Sequence, residues 1–480
     1  MNPLHRQVIL SYLIVQRDRI KSLWNNFKDA LGGSDKDFTK TPLNKAIFLL
    51  AAPMALEMAM ESLFALVDIY FVGKLGANAI AIVGTTESMM TIVYAISLGL
   101  SMAVTALVSR RIGEKDPEKA ALTAVQAIIA GIGISMLLAI PGIFFAKDIL
   151  RLMGSDPQAI EEGYQYTVII MSSNVVIMLL FIINAIFRSA GDAAISMRVL
   201  WMANLINIIL DPCLILGLGP FPELGIAGAA IATTIGRGLA VIYQFYLLFS
   251  DKARIKIHWK MIRLRISTML KLFRLSLGGV GQNLIATSSW VILMKIVNEF
   301  GSEAAAGYNI ALRIVIFMLL PSWGISNAAS TLVGQNLGAK NPLRAESAVW
   351  KTAWVNMIYM MVSAIVFITW PEFFIGFFDQ SKEVEQIAIS ALWIISVGFV
   401  GYGVGMVIVN SFNGAGDTRT PTIINFFAFW LMEIPLAYFL AIKLGWQQNG
   451  VFWAIVISEC TLTLIAIIIF RKGKWKLKKV

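Results

Sequence analysis

Long apolar runs separated by short polar segments follow one another along most of the 480-residue chain. Twelve of these runs reach or exceed the roughly 20 residues that an α-helix needs to cross a bilayer. The pattern therefore predicts an all-α polytopic membrane protein with twelve spans, numbered 1 to 12 in chain order. The spans are predicted at residues 44–72, 82–108, 119–146, 162–188, 194–217, 224–250, 272–299, 304–334, 345–370, 385–411, 420–442 and 449–470.

The segment before the first span, residues 1–42, has a mixed pattern. Its apolar stretch Val8–Val15 is too short to cross a bilayer, and it runs into charged residues where a signal peptide would have a small-residue cleavage site. Residues 4–31 are interpreted as a basic amphipathic helix on the membrane surface. A poorly ordered tail is the alternative.

The composition supports a membrane protein and excludes several kinds of site. Hydrophobic residues make up 58% of the chain and charged residues only 14%. Cys213 and Cys460 fall inside apolar runs, which excludes a disulfide framework and a cysteine metal cluster. His5 and His258 lie in polar segments, so zinc chemistry and histidine-based catalysis lack their residues. There is no GxxxxGKS/T loop for ATP, and no cofactor is expected beyond a coupling ion, H+ or Na+.

The net charge of +11 is distributed unevenly among the loops. Of the 40 Lys and Arg residues, 31 lie in or beside the N-terminal segment, the even-numbered loops and the C-terminal tail, and 5 lie in or beside the odd-numbered loops. The positive-inside rule therefore predicts a multi-pass protein of the inner or plasma membrane with both termini cytoplasmic. Topology and anionic lipid account for the basic charge, and a nucleic-acid partner is not expected.

The two halves of the chain are related by an internal repeat. VSRRIGEKDPEKA at Val108–Ala120 corresponds to VGQNLGAKNPLRA at Val333–Ala345, and FRSAGD at Phe187–Asp192 corresponds to FNGAGD at Phe412–Asp417, both at an offset of 225 residues. Because each half has an even number of spans, the halves run parallel and are related by an axis along the membrane normal. The fold class is thus two parallel-repeat, six-helix lobes around a central cavity, an arrangement suited to alternating access.

The repeat divides the chain into five parts. They are predicted as a basic amphipathic segment (1–42), an N-lobe with spans 1–6 (43–250), a cytoplasmic linker (251–271), a C-lobe with spans 7–12 (272–471) and a basic cytoplasmic tail (472–480).

Span 1 carries three acidic residues, Glu57, Glu61 and Asp68, at spacings that place them on one helical face. A carboxylate within a span is costly and normally faces a cavity or a partner. The repeat offset aligns Asp68 with Leu293 and Glu61 with Ala286, so the second half keeps the scaffold without these charges. The asymmetry favours a coupling-ion site confined to the first half.

Span 5 carries a matching polar face of Asn204, Asn207 and Asp211, and span 6 carries Thr233. The predicted directions of spans 1, 5 and 6 bring Asp68, Asp211 and Thr233 into the same half of the bilayer. Carboxylate, amide and hydroxyl oxygens suit a proton or a hard cation. The predicted coupling-ion site consists of Asp68, Asn207, Asp211 and Thr233. The first three residues are candidate ligands for Na+.

Other polar and large residues of the spans have competing interpretations. Glu57, Glu61 and Glu87 are either additional cavity acids or partners in structural ion pairs with Arg237, Arg313 or Lys295. Glu433 and Glu459 in the second half are left unassigned. The substrate cavity is predicted to involve Met58, Tyr164, Trp201, Asn204, Gln282 and Asn283, with methionine supplying an adaptable apolar surface.

Over about residues 44–470 the chain resembles the multidrug and toxic compound extrusion (MATE) transporters. The resemblance rests on LVDIYFVGKLG in span 1, FRSAGD before span 5, Asn207 and Asp211 within span 5, and LGIAGAAIATT at the start of span 6. It implies twelve helices in two lobes and export of amphipathic, often cationic, drugs in exchange for Na+ or protons. It also implies that Asp68, Asn207 and Asp211, with Thr233, correspond to the family's first-lobe cation site.

The NorM-like branch of that family has further acids on spans 7 and 10. This chain has Ala286 at the span 7 position and no acid over Ala391–Ser411, so it is more similar to the DinF-like branch. The function predicted is a cation-coupled antiporter, working as a monomer on small amphipathic substrates within membrane lipid. The alternative is a flippase for lipids or lipid-linked precursors. The lack of intramembrane histidine or of a clustered nucleophile argues against an enzyme. The duplicated lobes argue against a channel.

Overall fold

The computed structural model describes residues 24–33, 36–250, 252–378 and 381–480, which form helices joined by short connections. Ten helices are long and apolar enough to cross a membrane, and two bent helix pairs bring the number of spans in these residues to twelve. The spans are Leu43–Gly73, Ala77–Gly113, Pro117–Leu152, Pro157–Ser172 with Asn174–Ala190, Ala193–Ile215, Gly225–Phe249, Ile266–Asn298, Ser302–Gly338, Pro342–Thr369, Lys382–Val397 with Phe399–Gly414, Arg419–Lys443 and Gln447–Arg471. Pro371–Ile375, Trp259–Met261 and Lys474–Leu477 are short helical turns between or after the spans.

The predicted all-α class is confirmed, and each predicted span coincides with one helix or one bent pair. No strand occurs within the described ranges. Residues 24–32 are helical, and the remainder of the amphipathic helix predicted over residues 4–31 lies outside the described residues.

Backbone features recur between the halves at the same offset of 225 residues. The bent span 4 breaks at Ser173 by 40°, and the bent span 10 breaks at Gly398 by 54°. Lys115 and Lys340, in equivalent connections, have positive φ values of 62° and 57°. Neither break is at a proline, and the residues at the two breaks, Ser173 and Gly398, are both small.

Buried apolar side chains of the described residues form one large cluster from spans 1–7 and two others within spans 7–12 and the tail. A fourth cluster connects the segment before span 1 and spans 1 and 5 with spans 8 and 9. Span 1 packs against spans 5 and 8, and span 2 packs against spans 7 and 8, so these helices join the halves. Gly324 of span 8 allows the close approach to span 1, because a side chain there would overlap the main chain of Met54.

The halves are in tight contact at the end of the bundle where spans 2 and 8 finish, termed the basic end. An added Cβ at Gly113 would overlap the carbonyl oxygen of Gln335, and one at Gly338 would overlap that of Arg110. The Gln335 side chain also donates to the carbonyl oxygen of Ser189 at 2.9 Å. Main chain therefore lies directly against main chain, and this end is closed.

The C-terminal tail covers the closed end. Arg110 donates to the carbonyl oxygens of Lys478 at 2.9 Å and Ala415 at 3.4 Å. Lys478 pairs with Asp417 at 3.1 Å. The indole of Trp475 is buried and stacks on Phe470 with a centroid distance of 4.7 Å. The tail thus reaches from the second half onto the end of span 2.

The segment before span 1 makes a similar bridge. Asp37 pairs with Lys115 of the first half at 2.6 Å, and Arg344 of the second half donates to the carbonyl oxygen of Phe38 at 3.1 Å. Burial raises the pKa of Asp37, but bonds from Lys115 and Thr39 outweigh it and lower the pKa to about 2. The Asp37 carboxylate is therefore charged at any physiological pH.

Candidate functional site

Spans 5 and 6 approach closely because span 6 has glycine at the crossing. A side chain at Gly236 would lie only 2.7 Å from the carbonyl oxygen of Ala203 and 3.4 Å from the Cβ of Asn207. This approach places Thr233, one turn earlier on span 6, beside Asn207. With the amide oriented so that both of its ends have a suitable partner, the Asn207 oxygen accepts from the main-chain nitrogen of Thr233 at 2.9 Å and from its hydroxyl at 3.0 Å.

The other end of the Asn207 amide holds Asp211. The Asn207 Nδ2 donates to Asp211 Oδ2 at 2.7 Å, and the Asp211 side chain is fully buried. Within the described residues, no lysine or arginine forms an ion pair with Asp211. The structure thus brings together Asn207, Asp211 and Thr233 of the predicted coupling-ion site.

Asp68, the fourth residue of the predicted site, is not bonded to these three residues. It is half-buried on span 1 and makes no hydrogen bond or ion pair in the described part of the chain. Its carboxylate lines a cavity of about 480 Å³ between spans 1, 2, 6 and 8, termed the first-lobe cavity. The charged residues lining this cavity are Glu61, Asp68, Glu87, Arg237 and Arg313. The remaining lining is mainly apolar, so the cavity is amphipathic with one excess negative charge.

Two of the additional acids are held in ion pairs. Glu57 is fully buried and pairs with Arg188 at 2.6 Å. Glu61 pairs with Arg237 at 3.2 Å and accepts from Asn204 at 3.1 Å. Arg237 is one of the three partners that the sequence predicts for these acids, whereas the pairing of Glu57 with Arg188 was not predicted. Paired carboxylates are poor ion acceptors because their charge is already compensated, so Asp68 and Asp211 stand apart from Glu57 and Glu61.

The Glu57–Arg188 pair predicts a large effect on stability. Arg188→Gln leaves Glu57 buried without its counter-charge, and breaking a buried pair in this way costs about 3–5 kcal/mol. We expect the unfolding midpoint in detergent to fall markedly. Arg151→Gln, which breaks an exposed pair with Asp148, is the matched control and should change stability by about 0–1 kcal/mol. A double Glu57→Gln, Arg188→Gln variant should recover part of the loss. Equal effects of the two single variants would contradict this role.

The six residues predicted for the substrate cavity do not line one common cavity. Gln282 and Asn283 line a cavity of about 360 Å³ in the second half, termed the second-lobe cavity. The other four line neither this cavity nor the first-lobe cavity: Met58, Tyr164, Trp201 and Asn204. Of these, Trp201 donates to the carbonyl oxygen of Leu56 at 3.0 Å, and the Tyr164 ring lies under the Lys147 ammonium at 4.2 Å.

Two acids of the second half that the sequence left without a role are buried within their spans. Glu433 is buried and accepts from Ser289 at 2.6 Å, and Glu459 is buried at the wall of the second-lobe cavity. Neither forms an ion pair with any described residue. The sequence feature that could have identified these acids is their position near the middle of spans 11 and 12, where a charge is costly.

The chain matches the MatE family over residues 53–213 and again over residues 280–439, one match in each half. The chain belongs to the MATE family. The family consists of transporters, and its repeated match agrees with the duplication of the backbone features.

Known relatives align along nearly the whole chain. It is 25% identical to the probable multidrug resistance protein YoeA of Bacillus subtilis, covering 92% of this chain and 96% of YoeA. It is 23% identical to the probable multidrug resistance protein NorM of Thermotoga maritima, covering 91% and 94%. A solved structure described as the outward-facing conformation of a multidrug resistance MATE family transporter of the MOP superfamily has a TM-score of 0.86 at 23% identity, covering 92% and 98%. That structure has the same fold.

Proposed function

We propose that this MATE protein is a cation-coupled antiporter that exports amphipathic, often cationic, compounds by alternating access. The observation that carries the proposal is Asp211, which is buried, has no basic partner among the described residues and accepts a hydrogen bond from Asn207, whose oxygen faces Thr233. An uncompensated carboxylate within a span requires a proton or a cation from outside the chain. The multidrug resistance names of two relatives support drug-like cargo.

The orientation of the Asn207 amide favours a proton as the coupling ion. Its Nδ2 faces Asp211 and its oxygen faces Thr233. A proton on the second Asp211 oxygen leaves this arrangement unchanged. A sodium ion bound by both side chains needs the amide oxygen turned toward Asp211. In that orientation Nδ2 still bonds to the Thr233 hydroxyl at 3.0 Å, but the bond from the Thr233 main-chain nitrogen is lost. Asp68, at the cavity wall, is the group through which the proton reaches Asp211.

The proposed cycle begins from an outward-open state. The basic end is closed by Gly113 and Gly338, while the first-lobe cavity lies toward the opposite end. With the basic end cytoplasmic, protonation of Asp68 and Asp211 from outside neutralises the site and favours the inward-open state. Cargo then binds from the cytoplasm or inner leaflet. Each ligand shifts the equilibrium only by its difference in affinity between the two states.

We also propose that the protein resides in the plasma membrane as a monomer and works as the DinF-like branch does, with coupling in the first lobe. Two features support that branch: Ala286 in span 7 and the absence of acids over Ala391–Ser411 in span 10.

Reconstituted vesicles test the proposed function. Ethidium efflux is measured in proteoliposomes under an imposed proton gradient and, separately, an imposed sodium gradient. We expect movement driven by the proton gradient and little response to sodium. Movement driven by sodium alone would overturn proton coupling but keep antiport. No movement under either gradient, with folded protein, would overturn drug antiport and favour the lipid flippase.

A further inference from the structure

The second-lobe cavity combines aromatic walls with a single anionic group. Trp290, Trp323 and Phe429 line it, together with the flexible thioether of Met406. Among the described residues that line it, Glu459 carries the only carboxylate. The volume of about 360 Å³ is within the range of pockets that hold drug-sized molecules.

Most of the polar groups around this cavity already have partners. Gln282 and Asn413 bond to each other through both amides at 3.1 Å. Asn410 donates to the hydroxyl of Ser326 at 2.7 Å. Amides bound to one another have little capacity left for a ligand. Two lining residues keep capacity for a ligand: the Asn425 Oδ1 is buried without a partner, and Glu459, beside the Tyr402 hydroxyl, is the only one that can carry a negative charge among the described lining residues.

The charge of Glu459 is not compensated within the protein. The side chain is buried near the middle of span 12, and no lysine or arginine of the described chain pairs with it. The titratable groups nearest to it are Tyr402 of span 10, Glu433 of span 11 and Cys460 of its own helix, and none supplies a positive charge. In contrast with Glu57, which has Arg188, Glu459 needs a proton or a cationic ligand.

Span 11, next to Glu459, also departs from regular helix. Phe426–Glu433 is wound as a π-helix, and Phe429 within it presents its ring to the cavity. Such windings occur mainly at functional sites, because they cost helical stability and change the direction of side chains. At the repeat offset Glu459 corresponds to Thr234 of span 6, the neighbour of Thr233. The two halves thus place different polar groups at equivalent depths.

We propose that Glu459 binds the cationic group of transported amphipathic compounds and that Trp290, Trp323 and Phe429 bind their apolar body. A carboxylate within an aromatic pocket recognises organic cations by charge and by ring-face attraction together. The proposal rests on the proposed export function and adds the place in the second lobe where cargo is held. It also gives a physical reason for selection of cations over neutral compounds.

Equilibrium binding to the purified protein in detergent tests this assignment without any gradient. The probes are tetraphenylphosphonium and ethidium as cations, and Nile red as a neutral aromatic compound. We expect Glu459→Gln to weaken binding of both cations about tenfold or more and to leave Nile red binding unchanged. Glu433→Gln, which removes a buried acid bound to Ser289 outside the cavity, is the matched control and should keep wild-type affinity for all three.

The outcomes separate this proposal from the proposed function. Failure of the wild-type protein to bind either cation would overturn the export function itself. If the wild-type protein binds the cations and Glu459→Gln binds them equally well, only the role of Glu459 is overturned. Glu459 would then bind a proton and no cargo. Thermal unfolding checks that the variants are folded. If Glu459→Gln is not, Trp290→Ala must weaken binding of all three probes, and unchanged binding would place the cargo elsewhere.

Discussion

We expect Asp211→Asn to reduce gradient-driven ethidium efflux from proteoliposomes to the level of protein-free vesicles. The asparagine keeps an oxygen that accepts the bond from Asn207, so the local structure is retained while the titratable group is lost. Asp68→Asn should have the same effect because Asp68 lies at the wall of the first-lobe cavity. Efflux is followed by fluorescence, and unfolding midpoints verify that both variants fold.

The control makes the same chemical change at an exposed carboxylate. Asp148 pairs with Arg151 on the surface at 3.2 Å, with both side chains 66% exposed. Asp148→Asn should transport at the wild-type rate. If Asp211→Asn or Asp68→Asn does so as well, that residue is not part of the coupling site.

The second large effect is expected from Gly113→Ala at the closed basic end. The added methyl group overlaps the Gln335 carbonyl oxygen when the end is closed, whereas an open end removes that contact. Overpacking costs about 1–3 kcal/mol, which shifts the balance between the two states roughly 5- to 150-fold toward the open one. Spin labels on spans 2 and 8 near this end should report a larger distance, and efflux should fall accordingly.

Gly133→Ala provides the matched control for this change. Gly133 is also in a helix of the first half, but nothing lies within 4 Å of an added Cβ. The variant should keep the wild-type distance and efflux. Should Gly113→Ala keep them too, the contact between Gly113 and Gln335 does not determine which state is populated.

Periodicity and the repeat were sufficient to predict the spans, because each apolar run is long and bounded by polar residues. The meeting of Asn207, Asp211 and Thr233 was also predictable, since spacing fixed their faces and topology fixed their depth. The close approach of spans 5 and 6 depends on Gly236. The sequence contains this glycine but does not show that it lies against span 5.

Pairing between distant helices was beyond the sequence. Glu57 and Arg188 are on spans 1 and 4, and no local pattern indicates that they are partners. The same is true of Glu459, whose significance comes from the cavity beside it and from the absence of a basic partner among the described residues. Alignment of the two halves identifies acids of the first half that the second half lacks. It does not point to acids that occur only in the second half.

The bonds that join the halves at the closed end also bear on the conditions in which the transporter works. Arg110 of the first half donates to the main-chain carbonyl oxygen of Ala415 in the second. Gln335 and Arg344 of the second half donate to the carbonyl oxygens of Ser189 in the first half and of Phe38 in the segment before span 1. Carbonyl oxygens do not titrate, and bonds to them are weakly affected by ionic strength. Changes in pH or salt on the side of the basic end should therefore leave these three bonds almost unaltered, in contrast with the ion pairs Asp37–Lys115 and Lys478–Asp417 beside them.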